Sequence, residues 1–295
     1  MVSLIRADFF ADTGGWLEEV VRDWLPDCLV LDVRSNLKAD VIESIKENGV
    51  VTFIIDDCSE RRLAADMVFF PPVPQVQELR WRIYKGKRYV GWEWILLKGE
   101  VSVTREEVSM KKSARVAASE QVSPLRLLIT MGGCDARRLT VNAMKAVDNI
   151  KMPKIVVVVI GPGFKWGGKI REYIVEKRDQ YVIHEDVDMV SRIFVRADLA
   201  IASFGIIAYE LECMGVPAIL LCVNEDHRLS ATSFVGSAIA MSLDCSGSMQ
   251  IASLESKLRL LMRDKELRED MSRKGLLQVD GKGTERIAKE IRSVI

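Results

Sequence analysis

The sequence predicts an α/β fold made of two domains, and three observations lead to that prediction. Short apolar segments of strand length alternate with segments of helical periodicity along most of the 295 residues. Many of these apolar segments contain no polar position, which is typical of strands that are buried on both faces of a parallel sheet. Loops rich in glycine and acidic residues follow several of them, and a chain of this length suits two domains of ordinary size.

We expect residues 1–98 to form a shortened N-terminal α/β domain, residues 99–124 a polar linker, and residues 125–295 a Rossmann-like second domain. The elements predicted in the first domain are helices at residues 16–24 and 39–48 and strands at residues 28–33, 50–55 and 67–70. The strands predicted in the second domain are residues 125–131, 155–160, 181–183, 199–202, 217–223 and 238–243. Helices at residues 254–262, 266–275 and 284–295 follow.

Two features of the first domain have two interpretations each. Asp56 and Asp57 end a predicted strand, where they suit either a magnesium ligand or an ion pair with a cation such as Arg61. We prefer the ion pair. Tryptophans and basic residues between Trp81 and Trp94 suit either stacking on a base or sugar ring or internal packing, and we prefer packing.

The most informative stretch of the second domain is residues 198–223, which reads as strand, tight turn, helix, turn and strand. The turn Ser203-Phe204-Gly205 and the following helix start are predicted at the carboxyl edge of the sheet, where α/β proteins bind ligands. Backbone N–H groups at Gly205 suit a phosphate, and Glu210 could accept hydrogen bonds from sugar hydroxyls. The pattern is that of any βαβ unit or of a nucleotide-sugar site.

Further loops are predicted at the same edge. Gly132 and Gly133 permit the close backbone approach that a diphosphate requires, and Gly161 and Asn224 follow two other strands. No G-x-G-x-x-G fingerprint follows a strand, and no G-x-x-x-x-G-K-[ST] phosphate loop is present, which disfavours an NTPase.

Composition excludes several other classes. Lys+Arg and Asp+Glu both count 42, so no net charge attracts nucleic acid or an anionic bilayer. No apolar segment reaches the roughly 18 to 20 residues of a membrane span, and we expect a cytosolic protein. The six cysteines are scattered, and a metal centre built on the two histidines, His184 and His227, is not expected.

An ordered set of motifs resembles a known family. In the second half these are MGGCD, IGPGF, ADLAIASFG, YELECMGVP, Asn224 and VDGKGTERIA, and in the first half LVLDV, FIIDDCSERRLAADMVF and GKRYVGWEWILL. Together they resemble the UDP-sugar hydrolase of pseudaminic acid biosynthesis and the related spore-coat polysaccharide proteins. The resemblance runs from about residue 27 to the end of the sequence.

The resemblance implies a GT-B-like fold of two Rossmann-like lobes, the first one shortened, with UDP or a UDP-sugar in the cleft. It implies hydrolysis that releases UDP without a metal or cofactor, with Glu210 on the nucleotide ribose. The substrate-binding residues so expected are Gly132, Gly133, Asp135, Gly161, Ser203, Phe204, Gly205, Glu210 and Asn224.

The sequence departs from the family pattern near its start. Family members carry a catalytic histidine in an N-terminal Gly-His loop, whereas Trp16 stands near that place here and both histidines lie in the second half. The catalytic residue is therefore unknown; His184 and His227 are candidates, although a hinge or capping role suits them better. Three hypotheses follow: a UDP-sugar hydrolase, a GT-B glycosyltransferase, or a catalytically silent homologue that serves as a partner.

Overall fold

The structure is a computed structural model that describes residues 13–33, 36–106, 124–177 and 180–295. The chain divides into two compact units. The first contains Met1–Ile95 together with Gly283–Ile295, and the second contains Leu96–Lys282. The structure therefore assigns two segments differently from the sequence-based expectation. Residues 283–295 belong to the first unit instead of the second, and residues 96–98 belong to the second unit instead of the first. Residues 107–123 of the linker expected at residues 99–124 lie outside the described residues.

The first unit holds a four-stranded parallel sheet in the order β1-β2-β3-β4. Its strands are β1 (Cys28–Leu31), β2 (Val51–Ile55), β3 (Met67–Phe70) and β4 (Lys87–Val90), and its first helices are α1 (Thr13–Trp24), α2 (Ala39–Glu47) and α3 (Gln75–Glu78). Buried residues such as Ile42, Ile54 and Phe70 form its core. Strand β4 is not predicted from the sequence, because its four residues begin with two exposed cations and lie at the sheet edge.

An acidic and a basic side chain of this unit form a buried ion pair after strand β2. Asp57 and Arg61 are both buried and form an ion pair, and Arg61 also donates to the Leu37 carbonyl at 3.1 Å. Burial raises the pKa of Asp57, but hydrogen bonds from Arg61 and Ser59 outweigh it and hold the pKa below its ordinary value. The ion-pair interpretation therefore accounts for Asp57.

The tryptophan segment packs against its own unit. The guanidinium carbons of Arg62 and Arg88 lie 5.0 and 4.8 Å from the Trp81 ring centroid, and the Phe70 ring meets Trp81 edge-on at 5.8 Å. The Trp81 indole N–H donates to the Val76 carbonyl at 2.8 Å. Aromatic packing with a satisfied polar tip explains this residue.

The second unit holds a six-stranded parallel sheet in the order β10-β9-β8-β5-β6-β7. Its strands are β5 (Leu125–Thr130), β6 (Lys154–Ile160), β7 (Tyr181–Glu185), β8 (Leu199–Ser203), β9 (Ala218–Cys222) and β10 (Ala240–Asp244). All six coincide with predicted strands, and the α/β prediction is confirmed. Both faces are covered, because the central strands are buried at almost every position.

Most of the remaining helices belong to the second unit. Residues 99–106 are helical and form the described part of α4. The others are α5 (Leu139–Asp148), α6 (Gly167–Ile174), α7 (Ser191–Phe194), α8 (Ile206–Cys213), α9 (Glu225–Gly236), α10 (Ile251–Arg263), α11 (Lys265–Gln278) and, returning to the first unit, α12 (Gly283–Arg292). Among the described residues, no helix has the length and apolar character needed to cross a membrane.

Candidate functional site

The strand order of the second unit creates a topological switch point between β5 and β8. From β5 the chain proceeds to β6 on one side, and after β7 it returns to β8 on the other side of β5. The connections on the two sides therefore diverge and leave a crevice at the carboxyl ends of β5 and β8. Open α/β sheets bind their ligands at such a crevice. The loops that carry Gly132, Gly133 and Ser203 to Gly205 emerge at this point.

The two loops at the switch point approach one another closely. A Cβ atom placed on Gly132 would lie 3.5 Å from Ile207 Cδ1 and 3.9 Å from Ser203 Oγ. The neighbouring Gly133 is exposed, and a Cβ atom there would meet nothing within 4 Å. The backbone of this loop is therefore accessible to a ligand at the predicted place.

Gly161 packs closely against the backbone of the loop that contains Gly132 and Gly133, which we call the glycine loop. A Cβ atom on Gly161 would lie 2.2 Å from the Gly132 carbonyl oxygen and 2.8 Å from Gly133 Cα, which no side chain can tolerate. The Gly163 N–H also donates to the Gly133 carbonyl at 2.8 Å. The loops after β5 and β6 thus pack backbone against backbone, and this contact explains Gly161 without a ligand.

Gly205 opens helix α8 in a conformation that is almost confined to glycine. Its φ is 154° and its ψ is −159°, and a Cβ atom at this position would face open space. Ser203 is half-buried, whereas the Phe204 ring is buried against Tyr209 and Phe234. Because the ring faces the protein interior, a ligand contact of Phe204 is limited to its backbone.

Glu210 is the fifth residue of α8 and is 5% exposed. Burial raises the pKa of its carboxyl group, while nearby Lys98 lowers it and Glu100 raises it further. Lys98 was not predicted from the sequence, since it is the last residue of the expected first domain, where spacing gives no indication of a partner.

Asn224 follows β9 and is exposed at the start of α9. Its side-chain oxygen accepts the His227 N–H at 2.8 Å and caps the helix. The His227 ring lies 5.5 Å from the Phe204 ring, and burial lowers its pKa.

Asp135 has a structural role in the same loop as Gly132. Its two carboxylate oxygens accept the backbone N–H groups of Leu139 and Thr140 at 2.7 and 2.8 Å, and the side chain is buried. It thereby stabilises the start of α5. This role explains the carboxylate without a ligand, and substrate contact by Asp135 stays a prediction.

His184 lies apart from these residues. It occupies β7, the edge strand, and lines a small cavity with Arg126, Val182 and Arg196. Two strands separate β7 from the switch point. Trp16, which the resemblance puts near the family histidine, lies in α1 and packs on the first unit's core. In the described ranges, no group of three or more His, Cys, Asp or Glu side chains is arranged to hold a metal ion.

Two parallel-sheet units, with glycine loops at the switch point of the second, define a GT-B-like protein. Solved structures share this fold. Acinetobacter baumannii MurG superimposes with a TM-score of 0.67 at 14% identity over 96% of this chain and 78% of MurG. The UDP co-structure of S. aureus MnaA gives a TM-score of 0.64 at 15% identity over 97% of this chain and 81% of MnaA.

Within this class, the chain is related to the spore-coat polysaccharide biosynthesis proteins. The Bacillus subtilis (strain 168) spore coat polysaccharide biosynthesis protein SpsG is 26% identical over 215 residues, or 71% of this chain. The match spans 60% of SpsG. No protein-family model matches the chain. The resemblance found in the sequence and the GT-B-like fold are both confirmed.

Proposed function

We propose that the chain binds a UDP-sugar at the switch point of its second unit and acts in the biosynthesis of a surface polysaccharide or nonulosonic acid. If active, it cleaves the bond between the sugar and UDP. The observation that carries the proposal is the meeting of the Gly132 loop with the Ser203 turn, which leads into the helix that carries the buried Glu210 as its fifth residue. The relationship to SpsG and the UDP bound in MnaA support the substrate class.

The chemistry of the site suits the two parts of such a ligand. Accessible backbone at Gly133 and the start of α8 present N–H groups and a positive helix end, which favour a diphosphate. A carboxylate accepts hydrogen bonds from the two hydroxyls of a ribose. Glu210 is therefore assigned to the ribose, and Asn224 to the substrate through its exposed side chain.

Titration calorimetry with UDP tests the assignment on a matched pair of variants. Glu210→Gln removes the charge that strengthens the ribose hydrogen bonds, and we expect roughly a tenfold or larger loss of affinity. Glu212→Gln changes an equally isosteric carboxyl on the same helix, and we expect unchanged affinity. Absence of UDP binding by the unmodified chain, or equal losses in both variants, would refute the proposal.

Transfer to an acceptor is the second candidate, because glycosyltransferases share the GT-B-like fold. UDP release from a UDP-sugar in water separates the two. Release that proceeds without an acceptor supports hydrolysis, and release that requires one supports transfer. No release under either condition supports a silent homologue, provided that UDP still binds.

A further inference from the structure

A group of cations surrounds Trp166 on the loop that follows β6. The Arg138 guanidinium carbon lies 3.5 Å from the Trp166 ring centroid, and Lys169 Nζ lies 5.4 Å from it. Lys165 precedes the tryptophan and is exposed, as are Arg138 and Lys169. We call Arg138, Trp166 and Lys169 the tryptophan cation cluster.

The charges of this cluster are not neutralised within the described parts of the chain. There, Arg138 and Lys169 contact only the Trp166 ring among charged or aromatic groups, and no carboxylate pairs with either. The next cation of α6 behaves differently, because Arg171 is ion-paired with Glu185 at 2.6 Å. Arg137 is also engaged, since it donates to the Ser246 and Gly247 carbonyls. Among the described residues, Arg138 and Lys169 therefore have no anionic partner, whereas the neighbouring Arg137 and Arg171 are both engaged.

The cluster is held in place beside the glycine loop. Arg138 adopts the left-handed conformation at φ 57° and follows directly on the loop that carries Gly132 and Asp135. The loop after β6 packs on that same loop through the contact of Gly163 with Gly133. A guanidinium stacked on an indole loses little further freedom when it binds an anion, which favours recognition of phosphate or carboxylate.

Its position indicates which part of a ligand it would meet. Strand β6 lies beside β5 on the side away from β8. Arg138 follows β5, whereas Trp166 and Lys169 follow β6, which lies about 4.8 Å from β5. The cluster therefore lies on the β6 side of the crevice assigned to the diphosphate. A group bound there belongs to the sugar or to a second substrate, and the surrounding charge requires it to be anionic.

We propose that the tryptophan cation cluster is an anion subsite that binds a phosphate or carboxylate group beyond the uridine diphosphate. The inference rests on the proposed nucleotide-sugar function and specifies its substrate class. The anionic group is either a carboxylate on the transferred or released sugar or a phosphate on a second substrate. Both present oxygens that a fixed guanidinium and an ammonium recognise.

Two binding measurements separate these sources. The first compares UDP-glucuronate with UDP-glucose, and the second titrates inorganic pyrophosphate into UDP-saturated protein. We expect a preference of about fivefold for UDP-glucuronate if the sugar carries the charge, or pyrophosphate binding alongside UDP if a second substrate carries it. The variant Arg138→Gln with Lys169→Gln should abolish whichever effect is seen, and Arg171→Gln should preserve it.

The outcome is decisive in each case. Equal behaviour of the unmodified chain and the double variant in both measurements overturns the subsite. Pyrophosphate that only competes with UDP, together with equal affinity for UDP-glucuronate and UDP-glucose, also counts against it, because pyrophosphate then occupies the nucleotide site. If UDP itself fails to bind, pyrophosphate is titrated alone: binding that the double variant loses retains the subsite while the nucleotide proposal fails, and unchanged binding overturns both.

Discussion

Replacement of Gly161 by alanine tests whether the loop after β6 fixes the glycine loop at the switch point. The added Cβ atom would lie 2.2 Å from the Gly132 oxygen and 2.8 Å from Gly133 Cα and the Gly133 oxygen. All three atoms belong to backbone, so relief requires the two loops to separate by about 1 Å or more to reach ordinary van der Waals contact. Overpacking of this kind costs about 1–3 kcal/mol of unfolding free energy.

Urea unfolding of Gly161→Ala measures this cost, and a UDP titration measures the displacement of the glycine loop. Gly133→Ala is the matched control for stability, because a Cβ atom there would meet nothing within 4 Å. We expect Gly161→Ala to be less stable than Gly133→Ala by about 1–3 kcal/mol and to bind UDP more weakly than the unmodified chain. Equal stability of the two variants would show that the loops are not in backbone contact.

Three further predictions concern acidic residues. The pKa of Glu210 is raised above the ordinary 4.5, and UDP affinity should rise as the pH rises through it, because the ionised carboxylate accepts hydrogen bonds from both ribose hydroxyls. Titration calorimetry across pH checks this expectation, and a UDP affinity that does not change with pH contradicts it. Glu212 is fully buried, its carboxylate oxygens have no hydrogen-bond partner among the described residues, and burial raises its pKa well above the ordinary value. The contribution of Glu212 to stability is therefore fully present below its pKa in the unfolded chain and is lost as the pH rises through its higher pKa in the folded protein. Glu212→Gln should make the free energy of unfolding, measured by urea unfolding, depend less on pH. Asp135→Ala removes two helix-start hydrogen bonds and should cost about 1–2 kcal/mol in urea unfolding, whereas the exposed Asp226→Ala should cost much less; equal costs would contradict the capping role.

The strands of the second unit could be predicted because their sequences are apolar on both faces. The stretch Lys154–Ile160 contains five consecutive buried residues, and β8 and β9 are similar. A parallel sheet covered by helices requires such sequences. Strand β4 escaped prediction because an edge strand of four residues needs no apolar alternation, and the Lys87–Val90 sequence is half basic.

Site residues were predictable where the chain permits little choice. Glycine at residues 132, 161 and 205 is explained by close approach or backbone conformation, which sequence reasoning can anticipate. The capping role of Asp135 could not be anticipated, because it depends on the left-handed conformation of Arg138. Likewise, the partnership of Arg138 with Trp166 joins residues from two loops, and no spacing within either loop indicates it.

The return of α12 to the first unit means that this unit is assembled from two segments that lie far apart in the sequence. The Tyr89 hydroxyl donates to Glu290 at 2.6 Å, and Gly283 lies so close to the Ile95 backbone that a side chain could not fit between them. A recombinant fragment that stops after residue 95 would lack α12. The residues that contact Glu290 and the buried Ile287 would then be exposed. Expression of the first unit in isolation therefore calls for residues 283–295 to be supplied, either in trans or through a circularly permuted gene.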